Sequence, residues 1–151
     1  MSSPTIRALA ATDEPEWRRL WSLYLEFYEN PVPEIVYRIT FSRLISGMQN
    51  EYRGLIATLG ERSVGIAHYL FHRHCWKVEN VCYLQDLYVD AGDRGTGVGR
   101  ALIEGVYAAA DAAGSPAVYW TTQDFNVQGR RLYDRIGELT PFIKYVRPLS
   151  Q

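Results

Sequence analysis

The spacing of hydrophobic residues changes twice along the chain. In the first third, apolar side chains recur every three or four residues, which predicts helices. From Arg53 they alternate or run together in short stretches bounded by turn residues, which predicts strands. After Asp90 helical spacing returns and then alternates with strand-like stretches. The predicted order is one strand, two helices, three strands, a helix, a strand, a helix and a last strand.

The first helix has a marked start and a marked end. Thr12-Asp13-Glu14-Pro15 combines a capping side chain, acidic residues and an early proline, which together favour helix initiation. Asn30-Pro31 interrupts the helical pattern. A second helix is predicted from about Glu34 to Ser46, with Gly47 as its stop. The stripe of the first helix includes Trp17, Trp21 and Tyr24, which we interpret as core residues because they share one helical face.

The remaining elements predict an α+β fold in a single domain spanning residues 1–151. Its sheet is expected to hold about six to seven strands, antiparallel at first, with one parallel pair around a Gly-rich loop, and about four helices flank it. The predicted strands are Thr5–Ala10, Gly54–Leu59, Ser63–Trp76, Val81–Val89, Ala117–Thr122 and Pro141–Arg147, and the later helices are Val98–Ala113 and Asn126–Ile136.

Composition narrows the functional classes. A formal net charge of −1, from 16 basic and 17 acidic residues, gives no indication of nucleic-acid or membrane binding. No apolar run is long enough for a transmembrane helix and no signal peptide is visible, so we expect a cytoplasmic protein. Cys75 and Cys82 form either a disulfide or two reduced thiols, and the reduced form suits that compartment. No metal is expected, because His68, His72 and His74 lack a completing carboxylate or Cys ligand. These histidines are interpreted as strand surface residues, with the alternative that one of them serves as a base.

The segment Arg94-Gly95-Thr96-Gly97-Val98-Gly99-Arg100 lies between a predicted strand and a predicted helix. Such a turn directs backbone N–H groups and the positive end of the helix dipole at one point, which favours an anion. It is not a Walker A loop, since no Lys-Ser or Lys-Thr pair follows, and it fails the Gly-x-Gly-x-x-Gly dinucleotide spacing. An Arg-Gly-x-Gly-x-Gly-Arg sequence remains, and its flanking cations suit a diphosphate.

Three motifs in order resemble the GCN5-related N-acetyltransferase (GNAT) superfamily. They are the strand Tyr83-Leu84-Gln85-Asp86-Leu87-Tyr88-Val89, the Gly-rich loop, and the stretch from Thr121 through Asn126 to Leu132-Tyr133. The resemblance covers roughly residues 80–147. The strand motif and the closing Phe142-Ile143-Lys144-Tyr145 are most similar to the branch of polyamine (diamine) and yeast-type histone/polyamine acetyltransferases.

The resemblance implies an enzyme that uses acetyl-CoA as co-substrate and acetylates an amine. Main-chain groups across Leu87, Tyr88 and Val89 would pair with the pantetheine arm, and the Leu87 N–H would face the thioester oxygen. The N–H groups from Arg94 and Gly95 through Thr96, Gly97, Val98 and Gly99 to Arg100 would hold the pyrophosphate. Asn126 would contact the pantetheine arm, and Tyr133 would stand near the CoA sulfur as the acid that protonates the thiolate. Arg130 and Arg131 either reach the adenosine 3′-phosphate or form an exposed helix face.

The acceptor side carries no such motif. Gln85, a candidate substrate-binding residue, occupies a position that is commonly Glu in the polyamine branch. Its neutral side chain weakens a site for a dication and leaves no base there, so Asp86 is the nearest candidate base. Glu26, Glu29 and Glu34 either line the acceptor entrance or form a solvated helix end. We expect a small amine acceptor, such as a polyamine or amino acid. The alternatives are a protein lysine or N-terminal acetyltransferase and a non-catalytic acyl-CoA-binding module. A homodimer is expected from the resemblance.

Overall fold

Four α-helices and five β-strands form the described part of the chain, residues 3–149 of the computed structural model. Short 3₁₀ turns at Ala11–Asp13 and Ala91–Asp93 precede α1 and α3. The elements in chain order are β1 (Thr5–Ala8), α1 (Glu14–Phe27), α2 (Glu34–Ile45), β2 (Arg53–Leu59), β3 (Arg62–His72), β4 (Val81–Val89), α3 (Val98–Ala112), β5 (Val118–Tyr119) and α4 (Val127–Ile136).

The sheet has the order β1-β2-β3-β4-β5. The first three pairings are antiparallel and join strands that follow one another in sequence, as expected for a meander of hairpins. Strand β5 lies parallel to β4, because α3 forms the crossover between them. The predicted mixed sheet with one parallel pair next to the Gly-rich loop is therefore confirmed, as are the four helices.

Helices cover both faces of this sheet. Side chains from α1 and α2 pack with Ile56, Ile66 and Tyr88 in one core cluster, which includes Trp17 and Trp21 as the sequence predicted. On the other face, a Cβ atom at Gly65 would come within 3.0 Å of Leu102 on α3. Glycine on the strand therefore lets α3 pack close to the sheet at the start of the helix.

Three strand predictions are wrong, the first being Ala117–Thr122, of which only Val118–Tyr119 forms a strand. The sheet has five strands within residues 3–149 rather than six to seven, because residues 141–149 adopt no strand and their apolar side chains are mostly exposed. A strand needs a hydrogen-bonding neighbour, and none pairs with this segment among the described residues. Strand β3 ends at His72 rather than Trp76, since His74 accepts the backbone N–H of Trp76 on its ring and that of Lys77 on its carbonyl, forming a turn.

The chain divides into two compact units between Thr121 and Thr122. The first contains the whole sheet with α1, α2 and α3, and the second contains α4 and the C-terminal segment. Whether the chain acts as one domain, as the sequence predicts, stays a prediction.

Residues 3–149 contain no membrane-spanning helix, no metal-binding cluster and no disulfide. No helix there has both the length and the apolar character needed to cross a membrane. No group of three or more His, Cys, Asp or Glu side chains in the same range is arranged to hold a metal ion. Cys75 is exposed and Cys82 is buried, and neither forms a disulfide, so the pairing that the sequence left open is not made.

Candidate functional site

Strand β4 is irregular at its centre. His68 on β3 lies opposite Asp86, and the next residue, Tyr69, lies opposite Leu84, so Gln85 has no partner residue. Gln85 is therefore the extra residue of a β-bulge, and its side chain is exposed. Gln85 is exposed and Asp86 is buried, so the two side chains lie in different environments, as the sequence predicted.

Asp86 lies at the centre of a buried hydrogen-bonded cluster, which we call the Asp86 cluster: Asp86, His68, Trp17, Trp21 and Tyr24. The carboxylate Oδ2 accepts hydrogen bonds from His68 Nδ1, at 2.8 Å, and from Trp21 Nε1, at 3.3 Å. The Tyr24 hydroxyl also donates to Asp86. Behind the imidazole, Trp17 Nε1 donates to His68 Nε2 at 2.8 Å.

These contacts determine where the protons lie. Because the Trp17 N–H points at Nε2, that nitrogen must be the acceptor, and the imidazole proton is on Nδ1 facing Asp86. A second proton on Nε2 would place two N–H groups against each other. Burial alone would raise the pKa of Asp86, but donation by His68, Tyr24 and Trp21 outweighs it and holds this pKa below its ordinary value. Burial and the nearby Asp86 carboxylate strongly raise the pKa of Tyr24.

The sequence interpretation of His68 as a surface residue is wrong. Its side chain is 2% exposed. The signal was present in the alternation of β3, where Val64, Ile66 and His68 follow each other at every second position and must share a face. His72, the last residue of β3, is half-buried and contacts the Tyr119 hydroxyl, at 2.8 Å from Nε2, and His74 lies beyond the strand, so only His72 of the three comes near the predicted strand surface.

The Gly-rich loop joins β4 to α3 through two residues with positive φ. Gly95 has φ +79° and Gly97 has φ +93°, and Gly97 is the N-cap of α3. No side chain caps this helix, and the first intrahelical bond runs from the Ala101 N–H to the Gly97 carbonyl. The N–H groups of Val98, Gly99 and Arg100 consequently lack acceptors inside the helix. With the helix dipole they form an anion-binding geometry.

The cations beside the loop differ in their contacts. Arg94 Nε donates to the Val89 carbonyl at 3.0 Å, and its guanidinium lies 5.4 Å from the ring centre of Tyr88. Arg100 forms an exposed pair with Glu104, at 2.7 Å from Nε. Thr96 donates its hydroxyl to the Asp93 carbonyl. In this arrangement Arg94 braces the end of β4, whereas Arg100 is held only by a solvent-exposed side chain that an anion can replace.

The edge of β4 is open next to this loop. Strand β5 pairs with β4 only at Cys82 and Tyr83, and within residues 3–149 no strand pairs with the stretch from Leu84 to Val89 on that side. Leu87 and Val89 therefore lie where an extended ligand could add to the sheet by main-chain hydrogen bonds. The side chain of Tyr88, which lies between them, packs into the core with α1 and α2.

The second unit contains the predicted Asn126 and Tyr133. Asn126 is the N-cap of α4, and its Oδ1 accepts the Gly129 N–H at 3.3 Å while its Nδ2 donates to Thr122. A Cβ atom at Gly129 would lie 3.2 Å from the Tyr133 ring, so Asn126, Gly129 and Tyr133 share one face of the helix. Arg130 donates to the Asp124 carbonyl at 2.8 Å.

A cleft of about 610 Å³ opens between the end of α1 and the start of α2. Glu26 and Glu29 line it, whereas Glu34 is paired with Arg18 at 2.8 Å. That these carboxylates form an acceptor entrance stays a prediction. The other lining residues are Ser22, Leu25, Asn30, Pro31, Val32 and Tyr37. The wall thus combines apolar surface with two carboxylates, a combination that suits a small molecule carrying an ammonium group.

Comparison with known proteins decides the family. The model described as "Acetyltransferase (GNAT) family" matches residues 17–137. The chain belongs to the GNAT acetyltransferase family. This acetyltransferase is 39% identical over 143 residues to the D-amino-acid N-acetyltransferase HPA3 of Saccharomyces cerevisiae, covering 94% of this chain and 89% of the yeast protein. The predicted resemblance and the predicted acyltransferase activity are therefore confirmed.

Solved structures confirm the fold of the acetyltransferase. The ribosomal-protein-alanine N-acetyltransferase from Brucella melitensis biovar Abortus 2308 has a TM-score of 0.81 at 19% identity, with 97% of this chain and all of that chain covered. AAC(6')-Iy, solved with the bisubstrate analog CoA-S-monomethyl-acetylneamine, has a TM-score of 0.85 at 18% identity, with 99% and 100% covered. At these identities the likeness concerns the fold alone, while membership of the GNAT family implies acetyl-CoA as the donor.

Proposed function

We propose that this acetyltransferase moves the acetyl group of acetyl-CoA to the primary amine of a small acceptor by direct attack. The observation that carries the proposal is the continuity of the open edge of β4 with the two positive-φ glycines and the uncapped start of α3. An extended pantetheine arm and a pyrophosphate need those two features in that order. The chain provides both with main-chain groups.

Main-chain groups are the proposed donor contacts. Leu87 and Val89 pair with the pantetheine arm, and the N–H groups from Gly95 to Arg100 hold the pyrophosphate. Asn126 contacts the pantetheine arm from α4, and Arg130 contributes positive charge to the 3′-phosphate. An acetyl-CoA titration by calorimetry tests this assignment, and absence of binding to the intact protein would remove it.

The chemistry requires two proton movements. An alkyl ammonium has a pKa of about 10.4, so the acceptor must lose a proton before it attacks the thioester carbon. Water at the cleft carboxylates, Glu26 and Glu29, can receive that proton. The Leu87 N–H stabilises the oxyanion, a contribution of about 3 kcal/mol for one such donor. As the C–S bond breaks, Tyr133 protonates the departing thiolate and regains a proton from solvent.

A D-amino acid is the first acceptor class to test. The support is the identity with the yeast D-amino-acid N-acetyltransferase, which extends over 94% of this chain. The cleft at the α1 terminus adds support, because its volume suits a small molecule and its carboxylates suit an ammonium group. A protein lysine or N-terminus is the alternative acceptor. A basic peptide lying across the surface would make fewer contacts inside such a cleft than a small molecule.

The deciding experiment measures release of free CoA from acetyl-CoA with matched D- and L-amino acids, polyamines and a basic peptide. We expect turnover with small amines and a higher kcat/KM for the D- than for the L-enantiomer of one side chain. Equal rates for both enantiomers would remove the D-amino-acid assignment. Acetyl-CoA binding without turnover on any amine would favour the non-catalytic module instead.

A homodimer is also proposed. The C-terminal segment, residues 138–149, supports it because six large apolar side chains are exposed there. They are Leu139, Phe142, Ile143, Tyr145, Val146 and Leu149. Exposed apolar surface of this extent is typical of a protein–protein interface. Light scattering coupled to size exclusion should give twice the 17.3 kDa chain mass. A mass of one chain at micromolar concentration would refute the dimer.

A further inference from the structure

The Asp86 cluster has an unusual charge balance. Asp86 is 8% exposed, and all three side chains that donate to it are uncharged, since the imidazole proton of His68 lies on Nδ1. Within residues 3–149 no lysine or arginine forms an ion pair with this carboxylate. Burying an unpaired carboxylate costs free energy. Losing any of these hydrogen bonds would increase that cost, and this keeps each donor in place.

A second buried carboxylate shows the contrast. Asp13, at the start of α1, is 9% exposed and pairs with a cation, because Arg7 donates to its two oxygens at 2.7 and 2.8 Å. The backbone N–H of Ala10 adds a third donor. Asp13 and Asp86 therefore match in burial and in number of donors. They differ because only the negative charge of Asp13 is balanced by a neighbouring cation. Asp13 fixes the turn before the helix, while Asp86 holds side chains along the helix itself.

The donors to Asp86 come from the helix that forms the cleft. Trp21 and Tyr24 lie on α1, and the residues next to them in sequence, Ser22 and Leu25, line the cleft. Asp86 itself lies on β4 between the bulged Gln85 and Leu87. One carboxylate thus connects the strand proposed to hold the thioester with the helix proposed to hold the amine.

We propose that Asp86 is a positioning residue that holds Tyr24 and Trp21 on α1, and thereby fixes the cleft wall relative to the acetyl-bearing strand. In this proposal it is not the general base, since the carboxylate is buried and its Oδ2 is bonded to His68 and Trp21 inside the core. This inference rests on the proposed function, because it assumes that the cleft takes the acceptor amine. His68 acts behind Asp86, and Trp17 keeps its ring in the required tautomer.

The test compares Asp86→Asn and Tyr24→Phe in the full-length protein. Asp86→Asn removes the negative charge and replaces one acceptor oxygen with an NH2 donor, whereas Tyr24→Phe removes the donating hydroxyl. In each variant we expect kcat/KM for the amine to fall about tenfold, mainly through a higher amine KM. The dissociation constant of acetyl-CoA should stay within about twofold, because no donor contact is altered. The double variant should lose hardly more than either single variant, since both changes break the same contact.

Two matched variants separate positioning from a general loss of stability. Asp13→Asn neutralises an equally buried carboxylate, and Tyr107→Phe removes a tyrosine hydroxyl on α3. Both should leave the amine KM within about twofold. An increase in amine KM with Asp13→Asn as large as with Asp86→Asn would overturn the proposal, because the effect would then follow from destabilisation.

The pH profile separates positioning from base catalysis. A positioning role leaves the acidic limb of the kcat/KM profile of Asp86→Asn unchanged in shape. If Asp86 were the base, kcat would fall by roughly 10²- to 10⁴-fold and that limb would disappear. Such a result, with normal kinetics for Tyr24→Phe, would overturn the proposal.

A measurement without turnover keeps this inference separate from the proposed function. If no amine in the panel is acetylated, the proposed function fails, but hydrogen exchange of residues 28–33 still reports the cleft wall. We expect Asp86→Asn and Tyr24→Phe to speed backbone exchange in this segment and Asp13→Asn to leave it unchanged. Unchanged exchange in the first two variants would refute the positioning role.

Discussion

The proposed donor side and the proposed acceptor side of this acetyltransferase are built from different parts of the polypeptide. The donor side consists of backbone: an open strand edge, two glycines with positive φ and an uncapped helix start. The acceptor side consists of side chains, namely the Asp86 cluster and the cleft beside it. A backbone site depends on conformation and tolerates changes of side chain, whereas a side-chain site depends on individual atoms. Substitutions should therefore act on the two sides in different ways.

The largest expected effect concerns a side chain on the donor side, where the contrast assigns the binding contacts to the backbone. Tyr133 is the one side chain to which we assign a reacting proton on the donor side. Tyr133→Phe should lower kcat about 100-fold, because the thiolate then leaves without a positioned acid, while the affinity for acetyl-CoA changes little. Single-turnover kinetics together with calorimetry measure both quantities. Tyr145→Phe, an exposed tyrosine in the same unit, is the control, and an unchanged kcat in Tyr133→Phe would remove the side chain from the mechanism.

A backbone variant tests the donor side directly. Gly97→Ala places a Cβ atom in open space but at φ +93°, so only the backbone conformation is penalised. We expect the affinity for acetyl-CoA to fall roughly tenfold, since about 1–2 kcal/mol of strain tilts the N–H groups away. Gly60→Ala has the same kind of strain, at φ +61°, in the turn between β2 and β3. It should lower stability and leave affinity unchanged; equal affinity losses in both variants would contradict the backbone site.

Proton linkage sharpens the account of the acceptor side. The pKa of Asp86 is lower in the folded protein than its ordinary value of 3.8, so its ionised form stabilises the fold above that value. This contribution is lost as the pH falls towards the folded pKa. The difference in free energy of unfolding between wild type and Asp86→Asn should therefore be constant from about pH 8 to 5 and shrink below about pH 4. Urea denaturation at each pH measures it, and a constant difference down to pH 3 would argue against an ionised Asp86.

The smallest effect concerns the cleft carboxylates. Glu29→Gln removes one charge from an exposed wall, so the KM for a cationic amine should rise only about two- to fourfold, less at high salt. Glu26→Gln should behave alike and the double variant should add the two effects. Glu61→Gln, in the β2–β3 turn, is the control for net charge. If KM stays constant in all three cleft variants, the amine does not bind in this cleft.

Sequence reasoning worked best where the backbone carries the information. Glycines, prolines and the periodicity of apolar residues located α1, α3 and β4 to within a few residues, since these signals are local. The Gly-rich loop was found for the same reason. The last predicted strand, Pro141–Arg147, is wrong because a strand also needs a hydrogen-bonding neighbour, which a local stretch of apolar residues does not reveal.

The acceptor side was largely beyond sequence reasoning. Trp21, His68 and Asp86 are separated by 47 and 18 residues along the chain, and only the fold brings them into contact. The bulge at Gln85 shifts the register of β4 in a way that no local pattern indicates. The inward direction of His68 was readable from its alternation with Ile66, but its partners were not.

The open edge of β4 has a practical consequence for handling the protein. Unpaired strand edges are templates for association with other chains, and here six residues of β4 have no neighbouring strand on one side within the described residues. A ligand that pairs with this edge competes with such association and also shifts the folding equilibrium by mass action. Purification and crystallisation in the presence of CoA should therefore give a more heat-resistant and less aggregated sample than the protein alone.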